Sequence, residues 1–266
     1  MLNKLNKTTR KNSPRTTKPH ASNNINLTTQ NLLQIQELSV LIQQKRILQN
    51  INLLIKPGEV TYIVGPNGSG KSMLLKSIAG VALDAKIQGQ IIFKGKDITN
   101  LPPEKRAQLG MFLAWQKPPA IPEITVEDYL KAISSTLQTT KQVEDLLKQV
   151  KLPEAFAKKP LNLEMSGGQI KKLELASLLL LEPSLILLDE LDSGLDVESE
   201  KFVFNTIHEY LHKHPQVGTI VVSHGFRVAQ ILKPHTVYIL QNGKLSKPYD
   251  SSIIQKLQKH GFKQFD

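Results

Sequence analysis

The chain has 266 residues, no cysteine and a formal net charge of +11, with 40% hydrophobic and 21% charged residues. This mix supplies a sizeable globular core, and the lack of cysteine excludes disulfides and thiolate metal sites. Six of the eleven excess positive charges (Lys4, Lys7, Arg10, Lys11, Arg15 and Lys18) fall in the first 36 residues, which hold no acid, so the rest of the surface is too weakly basic for a general nucleic-acid footprint.

Residues 1–31 are rich in Asn, Thr, Ser and Lys and show no apolar periodicity. They read first as a disordered basic tail, and the acid-free, hydroxyl-rich composition also fits an organelle transit segment. The expected compartment is the cytoplasm, or a plastid or other organelle stroma if the tail is a transit peptide. The segment lacks the apolar middle of a secretory signal.

Ordered structure is expected from Leu32. Residues 33–38 begin with strand-like alternation, residues 47–53 form a second strand, and Lys56-Pro57-Gly58-Glu59 is a turn. The apolar run Val60 to Val64 then feeds Gly65-Pro66-Asn67-Gly68-Ser69-Gly70-Lys71-Ser72, followed by the helical stretch Met73 to Ala79. The loop satisfies G-x-x-x-x-G-K-S/T in the strand-loop-helix context that the pattern requires. Glycines let successive backbone N–H groups point inward as an anion nest, and the helix start adds its positive dipole end. Lys71 is placed to reach β- and γ-phosphates, and the Ser72 hydroxyl to ligate Mg²⁺; the implied ligands are ATP and Mg²⁺.

Residues 90–93 read as another strand with a turn at Lys94-Gly95-Lys96, and from about 117 to 165 the pattern turns helical, punctuated by Pro118, Pro119, Pro122, Pro153 and Pro160. Fixed φ and missing amides predict that residues 116–125 neither extend a sheet nor a helix; they are expected to form a semi-rigid surface loop leading into a helix over residues 126–137. The richest apolar stretch, Leu173 to Leu188, is broken by Glu174, Ser177, Glu182, Pro183 and Ser184, well short of the roughly 18 apolar residues a membrane span needs. No membrane insertion is expected. Residues 185–188 and 219–222 read as buried strands ending in polar residues. Strands alternating with helices imply an α/β fold with a mostly parallel sheet, its ligands at the strand C-termini. The first of these two strands ends in Asp189-Glu190. Asp189 suits the metal's outer shell, and Glu190 suits a base or polariser for attacking water.

With these residues on the page, the chain resembles the ATP-binding cassette (ABC) family. Met165-Ser166-Gly167-Gly168-Gln169 is similar to its signature motif, Ser193-Gly194-Leu195-Asp196 to its D-loop, Gln116 to its Q-loop glutamine and His224 to its switch histidine. The resemblance covers about residues 32–250, with a helical sub-domain at 117–165, an antiparallel β sub-domain and a closing helix within 251–266. It implies an ATP-dependent homodimer in which Ser166, Gly167 and Gly168 of one copy cap the nucleotide of the other, with Gln169 and Asp196 beside them. Lys71, Gln116, Glu190 and His224 would be catalytic, with Ser72, Gln116 and Asp189 about the metal. Within the family the chain resembles the soluble SufC branch of the SUF iron–sulfur assembly machinery. Residues 111–122, 188–196, 231–240 and 254–262 carry this, including Asp192 where transporter ATPases usually have Thr. That branch implies SufB- and SufD-like scaffold partners and no direct nucleic-acid contact. Gln169 and Lys172 depart from its usual Glu and Arg. Met73 replaces a common Thr, and Ile42 stands where an aromatic often stacks on adenine. Two other readings stay open: the nucleotide-binding subunit of a membrane transporter, which Gln169 favours, and a non-catalytic ATP switch, which Met73 and Ile42 favour.

Overall fold

The computed structural model describes residues 31–137, 142–223 and 225–262; the basic tail and His224 lie outside them. In chain order the elements are β1 (Leu33–Ile42), β2 (Lys45–Ile55), β3 (Val60–Val64), α1 (Lys71–Ala79), β4 (Ala85–Phe93), β5 (Lys96–Asp97), α2 (Pro103–Gln108), β6 (Met111–Ala114), β7 (Ile121–Thr125), α3 (Val126–Leu137), α4 (Val143–Gln149), β8 (Pro160–Leu161), α5 (Gly167–Leu181), β9 (Leu185–Asp189), α6 (Val197–Lys213), β10 (Gly218–Val222), α7 (Phe226–Leu232), β11 (Thr236–Gln241), β12 (Lys244–Leu245) and α8 (Ile253–His260).

Two sheets carry the architecture. One is antiparallel, in the order β2-β1-β4-β5; the other runs β12-β11-β3-β10-β9-β6. In the second, β11, β3, β10, β9 and β6 are mutually parallel, and only β12 runs against its neighbour. Strands β3, β9 and β10 are buried at every position, which explains their continuous apolar runs: helices cover both faces of a parallel sheet. Tyr62, Val64, Ile186 and Leu188 enter one core with α5, α6 and α7, while Ile63, Leu187, Ile220 and Val222 enter the other with α1 and the antiparallel sheet. This is the α/β P-loop cassette fold, with the C-terminal ends of β3, β9 and β10 side by side.

The proline-rich segment differs from the sequence expectation. Ile121–Thr125 is a strand, paired antiparallel with Pro160–Leu161 in a small ribbon. Pro122 is tolerated because only Ile121 and Thr125 meet partners, with an irregularity between them, so its missing amide leaves no ladder bond broken. The helix after it begins at Val126 as the pattern predicts.

Candidate active site

Strand β3 ends at Val64 and the chain turns through residues 65–70 into α1. Gly65 passes so close to β11 that a Cβ there would lie 2.0 Å from the Leu240 carbonyl oxygen. Gly70 has φ of 106°, and a Cβ would meet Leu48 Cδ2 at 2.7 Å; both positions therefore demand glycine. Gly70 also leaves α1 without a side-chain cap, so its first-turn amides remain donors at the positive end of the helix dipole. The Ser69 hydroxyl is buried with no hydrogen-bond partner among the described residues. A buried orphan hydroxyl is costly; this one lies beside Gly65, on the side that faces the Leu240 carbonyl.

Lys71 is 4% exposed. Its Nζ donates to the carbonyls of Gly65 at 2.9 Å and Pro66 at 3.1 Å. Burial pulls its pKa down, against the opposing charges of Glu190 and Asp189. Ser72 Oγ donates to Asp189 Oδ1 at 2.8 Å, joining the start of α1 to the end of β9. Burial holds the Asp189 carboxyl above its ordinary range and Glu190 adds to this, while the Ser72 bond works the other way. A hydroxyl beside a buried carboxylate is an all-oxygen donor set of the kind Mg²⁺ takes.

Immediately after β9, Glu190 adopts a left-handed conformation, φ 45°, and its amide donates to Val222 O at 2.8 Å. Such a residue costs about 1–3 kcal/mol; here it turns the chain out of the sheet directly beyond the metal-type carboxylate. Gln116 Nε2 donates to Glu190 Oε2 at 2.5 Å. The residues expected to serve the metal and the water are thus joined to each other across the ends of β6 and β9.

Sequence reasoning missed what holds Gln116 there. Lys171, on α5 and 3% exposed, donates to the carbonyls of Trp115 and Gln116 and to Glu174 Oε2. Glu174 Oε1 in turn accepts the Trp115 amide at 2.7 Å. Burial raises the Glu174 pKa and Lys171 opposes the rise. The available signal was two charges one helical turn apart at the start of an apolar run.

The signature and D-loop residues form a second group. Ser166 caps α5: its Oγ accepts the Gln169 amide at 3.3 Å while Gln169 Oε1 accepts the Ser166 amide at 2.8 Å, a reciprocal capping box. Asp196 caps α6, accepting the amides of Glu198 and Ser199 at 3.0 and 2.8 Å and the Ser199 hydroxyl at 2.7 Å. Gly167 and Gly168 pack on this turn; a Cβ on either would stand 3.3 Å from Gly194 O or Ser199 Oγ, respectively. Met73 packs against the core beneath the phosphate loop. Ile42 ends β1, paired with Lys45 and Ala85 and partly exposed.

Residues 48–193 match the profile of the ABC transporter family. The chain is 35% identical over 243 residues to the probable ATP-dependent transporter ycf16 of Antithamnion sp., covering 87% of this chain and 96% of that one. It is 33% identical over 243 residues to the probable ATP-dependent transporter SufC of Escherichia coli, covering 87% and 97%. It is also 34% identical over 241 residues to a probable ABC transporter ATP-binding protein of Streptococcus pyogenes serotype M1, covering 87% and 93%. Among solved structures, a nucleotide-free ATP-binding cassette from an ABC transporter superposes with a TM-score of 0.70 at 25% identity, covering 86% of this chain and 95% of that one. A cassette dimer bound to ADP and Pi gives 0.70 at 23% identity. The glycine-built loop, the buried carboxylate at the strand end and these relatives place the chain in the ABC ATPase family.

Proposed function

We propose that the chain hydrolyses MgATP between two copies of itself and, as a SufC-like subunit, energises iron–sulfur cluster assembly on a SufB- and SufD-like scaffold. The observation that carries the hydrolytic part is the constellation at the sheet's C-terminal edge: Lys71, the Ser72–Asp189 pair and the Gln116–Glu190 pair. ATP is held by the nest of residues 65–70 and the open start of α1. Lys71 exchanges its two carbonyl partners for phosphate oxygens. Ser72 and Asp189 would hold Mg²⁺, which would supply charge neutralisation at the phosphates. Glu190 orients and deprotonates the attacking water once Gln116 releases it, and His224 contacts the γ-phosphate. Ser166, Gly167 and Gly168 of the second copy close the site.

The SufC-like part is supported by the ycf16 and SufC relatives and by Asp192 in the loop after Glu190. The scaffold would dock where Trp115, Pro118, Pro119, Ile121, Tyr129 and Leu161 line a cleft beside the Gln116 strand end. A rigid apolar rim loses little entropy on docking. A second reading, the ATP-binding subunit of a membrane transporter, is favoured by Gln169 and by the similarity to the streptococcal probable ABC transporter ATP-binding protein.

Phosphate release by the full chain tests the hydrolytic part. Glu190→Gln, nearly isosteric and neutral, is expected to bind ATP normally and turn over about 10²-fold more slowly. Wild-type turnover in that variant would move the base elsewhere. Co-purification from cells tests the partner: a SufB- or SufD-like protein is expected, captured less by Ile121→Asp/Trp115→Ala. Capture of a membrane permease would favour the second reading.

A further inference from the structure

Residue 224 is flanked by Ser223 and Gly225, and both are held by side chains from other elements. Ser223, fully buried, accepts the Gly225 amide on its Oγ at 2.8 Å and donates to Asp192 Oδ2 at 2.8 Å. An ionised carboxylate can only accept, so the Ser223 hydroxyl supplies the proton of the bond to Asp192 while its oxygen takes the Gly225 N–H. On the other side the Gly225 carbonyl accepts from Tyr62 Oη at 2.7 Å. Tyr62 is 1% exposed, and burial drives its phenol far above the ordinary range, so it remains a donor at every working pH. Gly225 has an ordinary φ of −82°; glycine is needed there for space. A Cβ would lie 2.8 Å from Asp192 Oδ2 and 3.3 Å from Ser223 Oγ.

We infer that Asp192 and Tyr62 are positioning residues that clamp Ser223 and Gly225, the two neighbours of residue 224, from two sides. Their places in the chain give the clamp its meaning. Tyr62 lies on β3, two residues before that strand ends at the phosphate loop. Asp192 lies two residues beyond Glu190 and directly precedes Ser193, whose amide is bonded to Glu190 O at 2.9 Å. The turn that follows packs on the signature glycines, with Gly194 O in contact range of Gly167. A shift of that turn as a second copy closes would move Asp192, and Ser223 must follow or lose its bond. Ser223 and Gly225 are therefore tied both to the strand that feeds the phosphate loop and to the turn at residues 193–196. The inference rests on the proposed ATPase reading, with His224 at the γ-phosphate.

The test measures kcat and KM for ATP, ATP affinity and thermal stability in the full-length chain. Asp192→Ala and Ser223→Ala are each expected to lower kcat about 10- to 100-fold, the cost of a misplaced catalytic group, with ATP affinity within about twofold of wild type. The double variant should lose clearly less than the product of the two single losses, because both remove the Ser223–Asp192 bond. Asp192→Asn keeps an acceptor oxygen and should recover most of the turnover. Losses that multiply, or affinity falling in step with kcat, would reduce the contact to ordinary structural support. If Asp192→Ala fails to fold, Tyr62→Phe removes a single oxygen and is expected to lower kcat alone; full turnover there would overturn the clamp. Turnover that survives His224→Ala overturns the underlying reading. Loss at His224→Ala with full turnover in every clamp variant overturns the clamp alone.

Discussion

Helices α1 and α5 begin at loops that the proposed reaction brings to one phosphate, and they begin differently. α1 starts behind a glycine with no side-chain cap. Its first-turn amides are held ready by backbone geometry that admits no other residue at positions 65 and 70, so the site is preorganised before nucleotide arrives. α5 starts behind a complete capping box. Its donors are partly spent on the fold, yet Ser166 accepts the Gln169 amide through oxygen alone and keeps its proton for a second partner. In the proposed reaction one helix would bind by leaving its backbone open, and the other would use a hydroxyl twice. An open cap costs stability and would be tolerated where ligand fills it, whereas a capped start stabilises the monomer and, in the proposed dimer, would still contribute to a shared site.

The largest effect expected from the comparison is at the open start. Lys71→Ala removes the cation that the loop's own carbonyls hold in readiness. Charge-assisted bonds of about 1.5–3 kcal/mol each predict that the ATP dissociation constant rises by about 10- to 100-fold, read by calorimetry. An unchanged constant would remove Lys71 from the site.

Asp189→Asn separates stability from function at the same place. The folded-state carboxyl sits above its ordinary 3.8 because of burial, so the folded chain holds that proton more tightly than the unfolded one. The contribution to stability is present below the unfolded value and is lost as pH rises through the folded value. At neutral pH the ionised side chain is therefore a liability. The amide, which can still accept from Ser72, should raise the melting temperature of nucleotide-free protein at pH 7 while abolishing Mg²⁺-dependent turnover. The gain should shrink as pH approaches about 4. A lower melting temperature at pH 7 would contradict the burial argument.

At the capped start, Ser166→Ala should be felt twice. Loss of an N-cap costs about 1 kcal/mol, or about 2–4 °C in melting temperature for a domain of this size. Turnover should also fall through the second copy, with ATP affinity of the monomer unchanged. If stability drops with turnover intact, Ser166 serves the fold only.

How much of this was legible follows from where each interaction is encoded. The phosphate loop could be read because Gly65, Gly70, Lys71 and Ser72 act within eight consecutive residues whose roles belong to the backbone. The acid pair could be read because an apolar strand run gives way to two carboxylates in a row, the first of which, Asp189, closes β9. What stayed hidden depends on distant partners. Lys171 and Glu174 look like surface charges until α5 is laid against the Gln116 strand end. Arg106, 2% exposed, donates to the carbonyls of Ser77, Ile78, Thr99 and Leu101 and closes the end of α1; no local pattern marks it. Pro122 suggested a loop because proline lacks an amide, but the ribbon asks nothing of that amide. Ser166 and Asp196 fit the family's motifs, and their capping roles follow from S/T-x-x-E/Q and Asx spacing that was present to be read.

The smallest expected effect probes the capping box itself. Gln169 accepts the Ser166 amide with a neutral carbonyl. A carboxylate in the same place would accept that bond as well and would also face the positive end of the α5 dipole. Gln169→Glu, the residue usual in the branch this chain resembles, is therefore expected to stabilise the protein by about 0.3–1 kcal/mol at low salt. The gain requires the ionised form, so it should be present at pH 7 and vanish as pH falls through the ordinary glutamate range. It should also shrink in about 1 M salt, where the Debye length is about 3 Å. Lys71 and the open start of α1 lie outside the capping box, so ATP affinity of the monomer should not move. Denaturant melts of the two proteins at pH 7 and pH 4, at low and high salt, decide the matter. A gain indifferent to both pH and salt would mean the dipole is not its source, and a loss would mean that the added charge meets an unfavourable neighbour at the signature loop.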